Sequence, residues 1–325
     1  MESVAHPLMW IFFAVFVLIA LAVDLLVLRG SGPHKVTSRE ALLWSFAWIS
    51  LALIFNLLLW LYLESVLDAA NAKRIALEFL TGYLVEKSLS IDNIFVFLML
   101  FNYFAVPEQY QQRALIYGVL GAIVLRAILI FLGAALLQNF HWLIYLFGLI
   151  LLISGLKMLW AAGQKPNLEN NPIMRWLSSH LTLTRSYHGQ SLWIVENGKR
   201  IFTPLFLVLI MIGVTDLIFA VDSIPAIFAI TDDPFIVLTS NVFAVLGLRA
   251  LYFLLADMAD RFHLLAYGLA LVLIFIGGKM LLMDIYKIPI TYSLLIVGLL
   301  IMSSMLLSLW LSANAKDDNN LDRPL

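Results

Sequence analysis

The chain contains no cysteine among its 325 residues. Disulfides, thiolate metal sites and thiol redox chemistry are therefore unavailable to it. The six histidines all fall in predicted loops or at the ends of predicted helices, which argues against a zinc or copper site inside the apolar segments. Charged residues make up only 13% of the chain, about half of the roughly 25% found in soluble domains. The net charge of −1, without a basic patch, predicts no binding of nucleic acid.

Long apolar runs dominate what remains. Hydrophobic residues account for 62% of the chain, more than a soluble fold of this length can bury. A membrane-spanning helix needs about 20 mostly apolar residues, and this criterion predicts nine spans, at about 8–28, 41–63, 76–104, 113–137, 142–161, 203–230, 235–256, 264–284 and 289–312. The sequence therefore predicts an all-α polytopic membrane protein, a single domain embedded in the lipid bilayer.

Two segments lie outside the predicted spans. The polar loop 162–202 contains Asn197-Gly198 between apolar flanks, which is the strongest short-range signal for a β-hairpin. The polar residues 313–325 predict a disordered tail.

The distribution of Lys and Arg predicts how the chain is oriented. Twelve of the 20 basic residues lie in the loops after spans 1, 3, 5 and 7 or at the C-terminus, and three lie on the opposite side. Because cytoplasmic loops are enriched in Lys and Arg, the N-terminus is expected outside and the C-terminus in the cytoplasm.

Spans 3–5 resemble spans 6–8, which divides the membrane domain into a repeat A at 76–161 and a repeat B at 203–284. The matched features, in the same order in each unit, are the acid pairs Glu86/Asp92 and Asp216/Asp222, the arginines Arg126 and Arg249, and the lysines Lys157 and Lys279. Since each unit has three spans, the second is expected to be inverted relative to the first. Inverted repeats are typical of secondary transporters, whose sites lie near the midplane between the repeats.

The charged residues within the spans are expensive in lipid. Each costs at least about 2.5–3.5 kcal/mol at the bilayer centre, so four unpaired acids would cost on the order of 10 kcal/mol. One interpretation is purely structural, with Arg126 and Arg249 neutralising Asp92 and Asp222. That pairing leaves acids unmatched, however, and a bound cation or proton would complete the compensation.

Helical geometry sharpens the second interpretation. Residues six apart lie about 120° apart around a helix, so Glu86 and Asp92 cannot face one point unless their helix is interrupted. In span 6, Pro225 removes a backbone hydrogen bond near Asp222. Spans 3 and 6 are each about 28 residues or ~42 Å long, against an apolar core of about 30 Å, so a tilt or a break is expected.

These residues offer oxygen ligands only, which suit Mg²⁺, Ca²⁺ and Mn²⁺. The candidate cation ligands are Glu86, Asp92, Asn93, Asp216, Asp222 and Ser223. The candidate charge-compensating or gating residues are Asp24, Lys87, Arg126 and Arg249.

Four segments resemble signatures of the TerC/Alx family, in particular its Alx-like branch. They are 79–93 (FLTGYLVEKSLSIDN), 117–126 (YGVLGAIVLR), 219–228 (FAVDSIPAIF) and 246–250 (LGLRA). The resemblance implies a multi-pass protein of the bacterial inner membrane that exports Mn²⁺, in a family associated with tellurite resistance and the response to alkaline pH. It also implies that the acid pairs of both repeats contact the ion. The chain departs from Alx-like members at 213–216, where these often carry an additional acid.

Four functions are therefore considered. Export of Mn²⁺ through a midplane acidic site, with protons as a possible coupling ion, agrees best with the repeated acids. A Ca²⁺/H⁺ exchanger-like carrier has the same ligand chemistry, and a non-transporting membrane protein responding to tellurite, alkaline pH or redox stress is a further alternative. Enzymatic activity is not expected, because no intramembrane protease motif accompanies the aspartates. A resident cofactor is not expected either. The oligomeric state is left open.

Overall fold

The computed structural model describes residues 3–31, 37–140, 142–161, 176, 179–184, 186–196, 198–256, 264–286 and 288–321, without the side chains of 24–31, 92, 161 and 312–321. Two candidate residues, Asp24 and Asp92, have side chains that lie outside the described residues. Within the predicted loop 162–202, residues 162–175, 177–178, 185 and 197 also lie outside them.

Within the described residues the chain forms ten helices and one small sheet. The helices are α1 (Pro7–Ser31), α2 (Ser38–Val66), α3 (Ala69–Tyr103), α4 (Glu108–Asn139), α5 (Leu143–Ala161), α6 (Pro204–Phe228), α7 (Pro234–Leu246), α8 (Leu248–Ala256), α9 (Leu265–Leu281) and α10 (Ile290–Leu321). The strands are β1 (Trp193–Glu196) and β2 (Lys199–Phe202). The all-α polytopic membrane fold is confirmed. The helices follow the nine predicted spans, with α7 and α8 together forming the seventh.

Length and composition identify the helices that are suited to a membrane. Among the described residues, α2, α4, α5, α6 and α10 are each long and apolar enough to cross it, and α7 with α8 gives a sixth candidate. The apolar stretches Pro7–Val23 and Leu265–Leu281 are shorter. The exact number of spans remains a prediction.

Capping explains why α3 begins before the predicted start of span 3. The carboxylate of Asp68 accepts a hydrogen bond from the backbone N–H of Asn71 at 3.1 Å, which caps the helix. Hydrogen bonds from the Asn71 side chain and backbone also lower the pKa of Asp68. The helix then continues for 35 residues, about 52 Å by helical rise, so it must tilt or extend beyond the apolar core of the bilayer.

Of the two alternatives expected for these spans, a tilt or a break, the break at the acid pairs is not found, because α3 and α6 are continuous helices. Pro225 lies within the last turn of α6, so it removes the hydrogen bond that an N–H would donate to the Val221 carbonyl, while the turns before it remain helical. The break lies instead between α7 and α8, where the axis bends by 40° at Gly247.

The predicted disordered tail, 313–325, is helical as far as Leu321, and residues 322–325 lie outside the described residues. Helix α10 continues to Leu321, nine residues beyond the predicted end of span 9. Polarity marks where a span leaves the membrane, but it does not end a helix.

The predicted hairpin is present beside the Asn-Gly pair. Strands β1 and β2 pair antiparallel, with Trp193 opposite Phe202, and Gly198 adopts a positive φ of 74°. The segment before the hairpin is fastened to the ends of α3 and α4: the Tyr187 hydroxyl donates to the carbonyl of Phe104 at 2.8 Å, and Arg113 donates to the Gln190 side chain at 2.6 Å. Burial raises the pKa of Tyr187 to about 12, so this bond persists at physiological pH.

The packing of the helices follows the two sequence repeats. Helix α3 packs against α7, α4 packs against α6, and α5 packs closely against α9. Helices α3, α4 and α5 of repeat A correspond to α6, the α7–α8 pair and α9 of repeat B. The contact of α3 with α7 is therefore the counterpart of the contact of α6 with α4. This pattern is expected for two structurally related units.

The close contacts of glycines between α5 and α9 show the same correspondence between the two repeats. A Cβ added to Gly277 would lie 2.7 Å from both the Gly148 carbonyl oxygen and the Leu152 nitrogen. A Cβ added to Gly155, the matching glycine of repeat A, would lie 2.8 Å from the Ala270 carbonyl oxygen and 3.0 Å from the Ile274 nitrogen.

Positions 148 and 152 of α5 match positions 270 and 274 of α9, so the two sets of contacts are equivalent. Positions early in α5 contact a position late in α9, and a position late in α5 contacts positions early in α9. The two equivalent helices thus run antiparallel, which supports the prediction of an inverted repeat.

Candidate functional site

Arg126 lies at the centre of a buried ionic cluster formed by α3, α4 and α6. Its guanidinium forms an ion pair with the carboxylate of Glu86. It also donates to Asp216 through Nη2 at 2.8 Å and through Nε at 3.4 Å. Glu86 and Arg126 are 0% exposed and Asp216 is 2% exposed. Two carboxylates share one guanidinium here, so the cluster carries one surplus negative charge when all three groups are ionised.

Two amide side chains extend this cluster. The Asn241 oxygen of α7 accepts a hydrogen bond from Arg126 Nη1 at 3.4 Å. In the amide orientation that satisfies both of its ends, Asn93 accepts from Arg126 Nη2 at 3.3 Å and donates to the carbonyl of Leu89 at 3.2 Å. Oxygen atoms from three helices, α3, α6 and α7, therefore surround the single cationic group that α4 contributes.

The cluster joins equivalent residues of the two repeats. Glu86 and Asp216 occupy matching positions, and both contact Arg126 of repeat A. Arg249, the counterpart of Arg126, lines a different small cavity together with Glu40, Trp44 and Gln112. The site is thus built from both repeats but is not symmetric.

Asp222 and Ser223 lie beside this cluster. They line a cavity of about 50 Å³ whose wall also includes Asn93 and Arg126. The Asp222 carboxylate accepts a hydrogen bond from the Ser154 hydroxyl of α5 at 2.7 Å. The structure therefore brings five of the predicted ligands close to one another. The side chain of the sixth, Asp92, lies outside the described residues.

Several polar atoms at the site are incompletely bonded. Glu86 Oε2, Asn241 Nδ2 and Ser223 Oγ are buried and have no hydrogen-bond partner among the described residues. Within the same part of the chain, no group of three or more His, Cys, Asp or Glu side chains is arranged to hold a metal ion. In this conformation the Arg126 guanidinium contacts both Glu86 and Asp216.

Comparison with known proteins agrees with these features. A family profile described as "Integral membrane protein TerC family" matches residues 71–316. The chain belongs to the TerC family. It is therefore an integral, multi-pass membrane protein, as its apolar helices indicate.

Its similarity to individual TerC-family proteins extends over nearly the full length. The Alx proteins of Shigella flexneri and Escherichia coli K12 are each 51% identical over 312 residues, covering 96% of this chain and 98% and 97% of their own. Their names describe them as candidate membrane-bound redox modulators. The membrane protein STKORF319 of Myxococcus xanthus is 44% identical over 313 residues, 96% of this chain and 95% of its own. No solved structure matches the chain.

Lys87, one of the predicted charge-compensating or gating residues, contacts the end of a helix in this TerC-family chain. Its ammonium donates to the backbone carbonyl of Ala244 at 3.2 Å, near the C-terminal end of α7. Carbonyls at the end of a helix carry partial negative charge, and the bend at Gly247 leaves them available. Lys87 therefore stabilises the break between α7 and α8 through a carbonyl contact.

Replacing Gly247 with alanine is expected to lower the free energy of unfolding by about 1–3 kcal/mol, the cost of disturbing a buried donor. The φ of −82° at Gly247 suits alanine, so the effect arises from contacts alone. The new Cβ would lie 2.5 Å from Lys87 Nζ and 3.2 Å from Trp48 Cβ. Denaturant unfolding in detergent measures this change. Gly121→Ala, whose Cβ would contact nothing within 4 Å, is the control, and an equal loss there would contradict the explanation.

Two residues of the site were missing from the sequence-based prediction. Asn241 follows Thr239 and Ser240 in the first third of predicted span 7, and all three are completely buried. Three consecutive polar residues within a span are a usable signal for a polar interface. Ser154, in contrast, is a single small residue in an apolar helix, and its contact with Asp222 depends on how α5 packs on α6.

Proposed function

We propose that this protein transports a divalent cation, Mn²⁺ by preference, out of the cell across the bacterial inner membrane. One observation carries the proposal: the matching acids of the two repeats, Glu86 and Asp216, meet in a fully buried cluster whose negative charge exceeds its positive charge. A cation that leaves water for this site gains two carboxylates and several neutral oxygens, which is the ligand chemistry of Mn²⁺, Mg²⁺ and Ca²⁺. The preference for Mn²⁺ rests on the family resemblance.

The neighbouring cavity supplies a second feature that a transporter needs. It places Asp222 and Ser223 next to Arg126, so an ion can pass between oxygen ligands without entering the apolar part of the bilayer. Intramembrane acids that face such a cavity are characteristic of ion pathways. The proposal requires no enzymatic step and no resident cofactor, and it leaves protons as a possible coupling ion.

Several contacts support the expected topology. Near the N-terminus, Ser3 and the backbone N–H of Val4 donate to Asp233, in the α6–α7 connection, at 3.0 and 2.6 Å. Both segments are predicted outside the membrane on the periplasmic side. The contact between Tyr187 and Phe104 joins two segments that are both predicted to be cytoplasmic.

Flux of Mn²⁺ into proteoliposomes tests the proposal. We expect Glu86→Gln and Asp222→Asn each to reduce the flux roughly tenfold or more, because each removes a unit charge close to the ion in a low-dielectric site. Glu64→Gln is the matched control, since Glu64 is exposed near the end of α2, and its flux should equal that of the wild type.

The results also distinguish the alternatives. Flux of Ca²⁺ in preference to Mn²⁺ would favour a calcium carrier. Binding of metal without flux of any cation would contradict transport and favour a non-transporting stress protein. A redox role like the one in the names of the Alx relatives would have to operate without cysteine thiols, because this chain has none.

A further inference from the structure

The guanidinium of Arg126 is placed where a transported cation would be expected to bind. It contacts Glu86 and Asp216, the two equivalent acids of the repeats, and it is completely buried. A divalent ion between two carboxylates would cancel their charge, whereas the guanidinium cancels only half of it. The arrangement is therefore electrostatically incomplete in a way that a second positive charge would correct.

The hydrogen bonding around Arg126 is incomplete as well. Glu86 Oε2 accepts no hydrogen bond from any described residue, and Asn241 donates none through its Nδ2. Buried polar atoms are rarely left unsatisfied unless a ligand or water reaches them. A cluster whose only role was to hold an arginine would be expected to use these atoms.

Arg126 also has space into which it can move. Its side chain borders the cavity of about 50 Å³, and Asp222 lies on the wall of the same cavity. The guanidinium can therefore exchange Glu86 and Asp216 for another carboxylate while it remains buried.

We propose that Arg126 is a tethered cation that occupies the Glu86–Asp216 site in the absence of the transported ion and selects for divalent ions. The inference rests on the proposed function and extends it to the basis of selectivity. A monovalent ion that displaces the guanidinium leaves the surplus negative charge unchanged and gains nothing electrostatically. A divalent ion cancels that charge, so it alone compensates for moving the arginine toward Asp222.

The test compares the wild type, Arg126→Gln and Arg113→Gln, purified in detergent. Arg113 is also on α4, but its guanidinium contacts Gln190 outside the cluster. The melting temperature is measured against MnCl₂, MgCl₂ and NaCl at constant ionic strength, because a ligand that binds the folded state raises it. In Arg126→Gln we expect Mn²⁺ affinity to increase roughly tenfold or more through loss of a competing charge, and Na⁺ also to stabilise the protein. Arg113→Gln should behave like the wild type.

The outcomes separate this inference from the proposed function. If no divalent ion stabilises either the wild type or Arg126→Gln, both fail. If the wild type responds to Mn²⁺ and Arg126→Gln responds more weakly, or if Na⁺ remains without effect on Arg126→Gln, only the inference is overturned. A purely structural arginine would give weaker binding to a damaged protein and no new response to Na⁺.

A further variant covers the case in which Arg126→Gln is too unstable to purify. The inference then predicts that it can be purified in MnCl₂ but not in NaCl. Arg126→Lys retains the charge, but a compact ammonium lacks the fork with which arginine bridges two carboxylates. Its Mn²⁺ affinity should lie above that of the wild type, and a lower affinity would overturn the inference.

Discussion

Replacement of Arg126 with methionine is expected to lower the free energy of unfolding by about 3–5 kcal/mol when divalent cations are absent. Removing one partner of a buried ion pair leaves uncompensated charge in a low-dielectric interior, and losses of this size are typical. Here the loss affects two carboxylates at once, because Glu86 and Asp216 both contact the guanidinium. Denaturant unfolding of the purified protein in detergent measures the effect.

The same argument predicts recovery when the acids are neutralised. Combining Arg126→Met with Glu86→Gln and Asp216→Asn removes all three charges and should restore most of the lost stability, since uncharged replacements of buried ion pairs are often neutral or better. Arg113→Met controls for the loss of an arginine from α4. If the triple variant is no more stable than Arg126→Met, the destabilisation arises from packing and not from unpaired charge.

The repeated acids could be identified from the sequence, whereas the arginine that joins them could not be assigned to its partners. Spacing alone relates Glu86 to Asp216 and Arg126 to Arg249. Which arginine contacts which acid depends on the rotation and tilt of α3, α4 and α6, and a residue shift of one position turns a side chain by about 100°. The contact of Arg126 with the first acid of each pair therefore emerges only from the packed structure.

The position of the helix break also depends on tertiary contacts. Pro225 is the stronger helix breaker in isolation, at about 3 kcal/mol against about 1 kcal/mol for glycine, and it suggested a break in α6. It lies in the final turn, so it removes the hydrogen bond to the Val221 carbonyl and α6 ends three residues later without a break at the acid pair. The break at Gly247 is favoured instead because Lys87, from a helix 157 positions earlier in the chain, donates to the freed carbonyl of Ala244.

A large residue at the contact between α5 and α9 is expected to cause the second large loss of stability. Gly277→Leu is expected to lower the free energy of unfolding by about 3 kcal/mol, the upper end of the usual cost of overpacking. Even a Cβ at this position would lie 2.7 Å from backbone atoms of Gly148 and Leu152. Backbone cannot move aside as a side-chain end can, so the two helices would have to separate. The melting temperature in detergent measures the loss.

The adjacent glycine provides a matched control. A Cβ at Gly278 would contact nothing within 4 Å, so Gly278→Ala should leave stability unchanged or raise it by up to about 1 kcal/mol through helix propensity. Because the two repeats exchange their contacts, Gly155→Leu should resemble Gly277→Leu in cost. A large loss for Gly277→Leu with none for Gly155→Leu would contradict the equivalence of the repeats, and it would remove the packing support for their inverted arrangement.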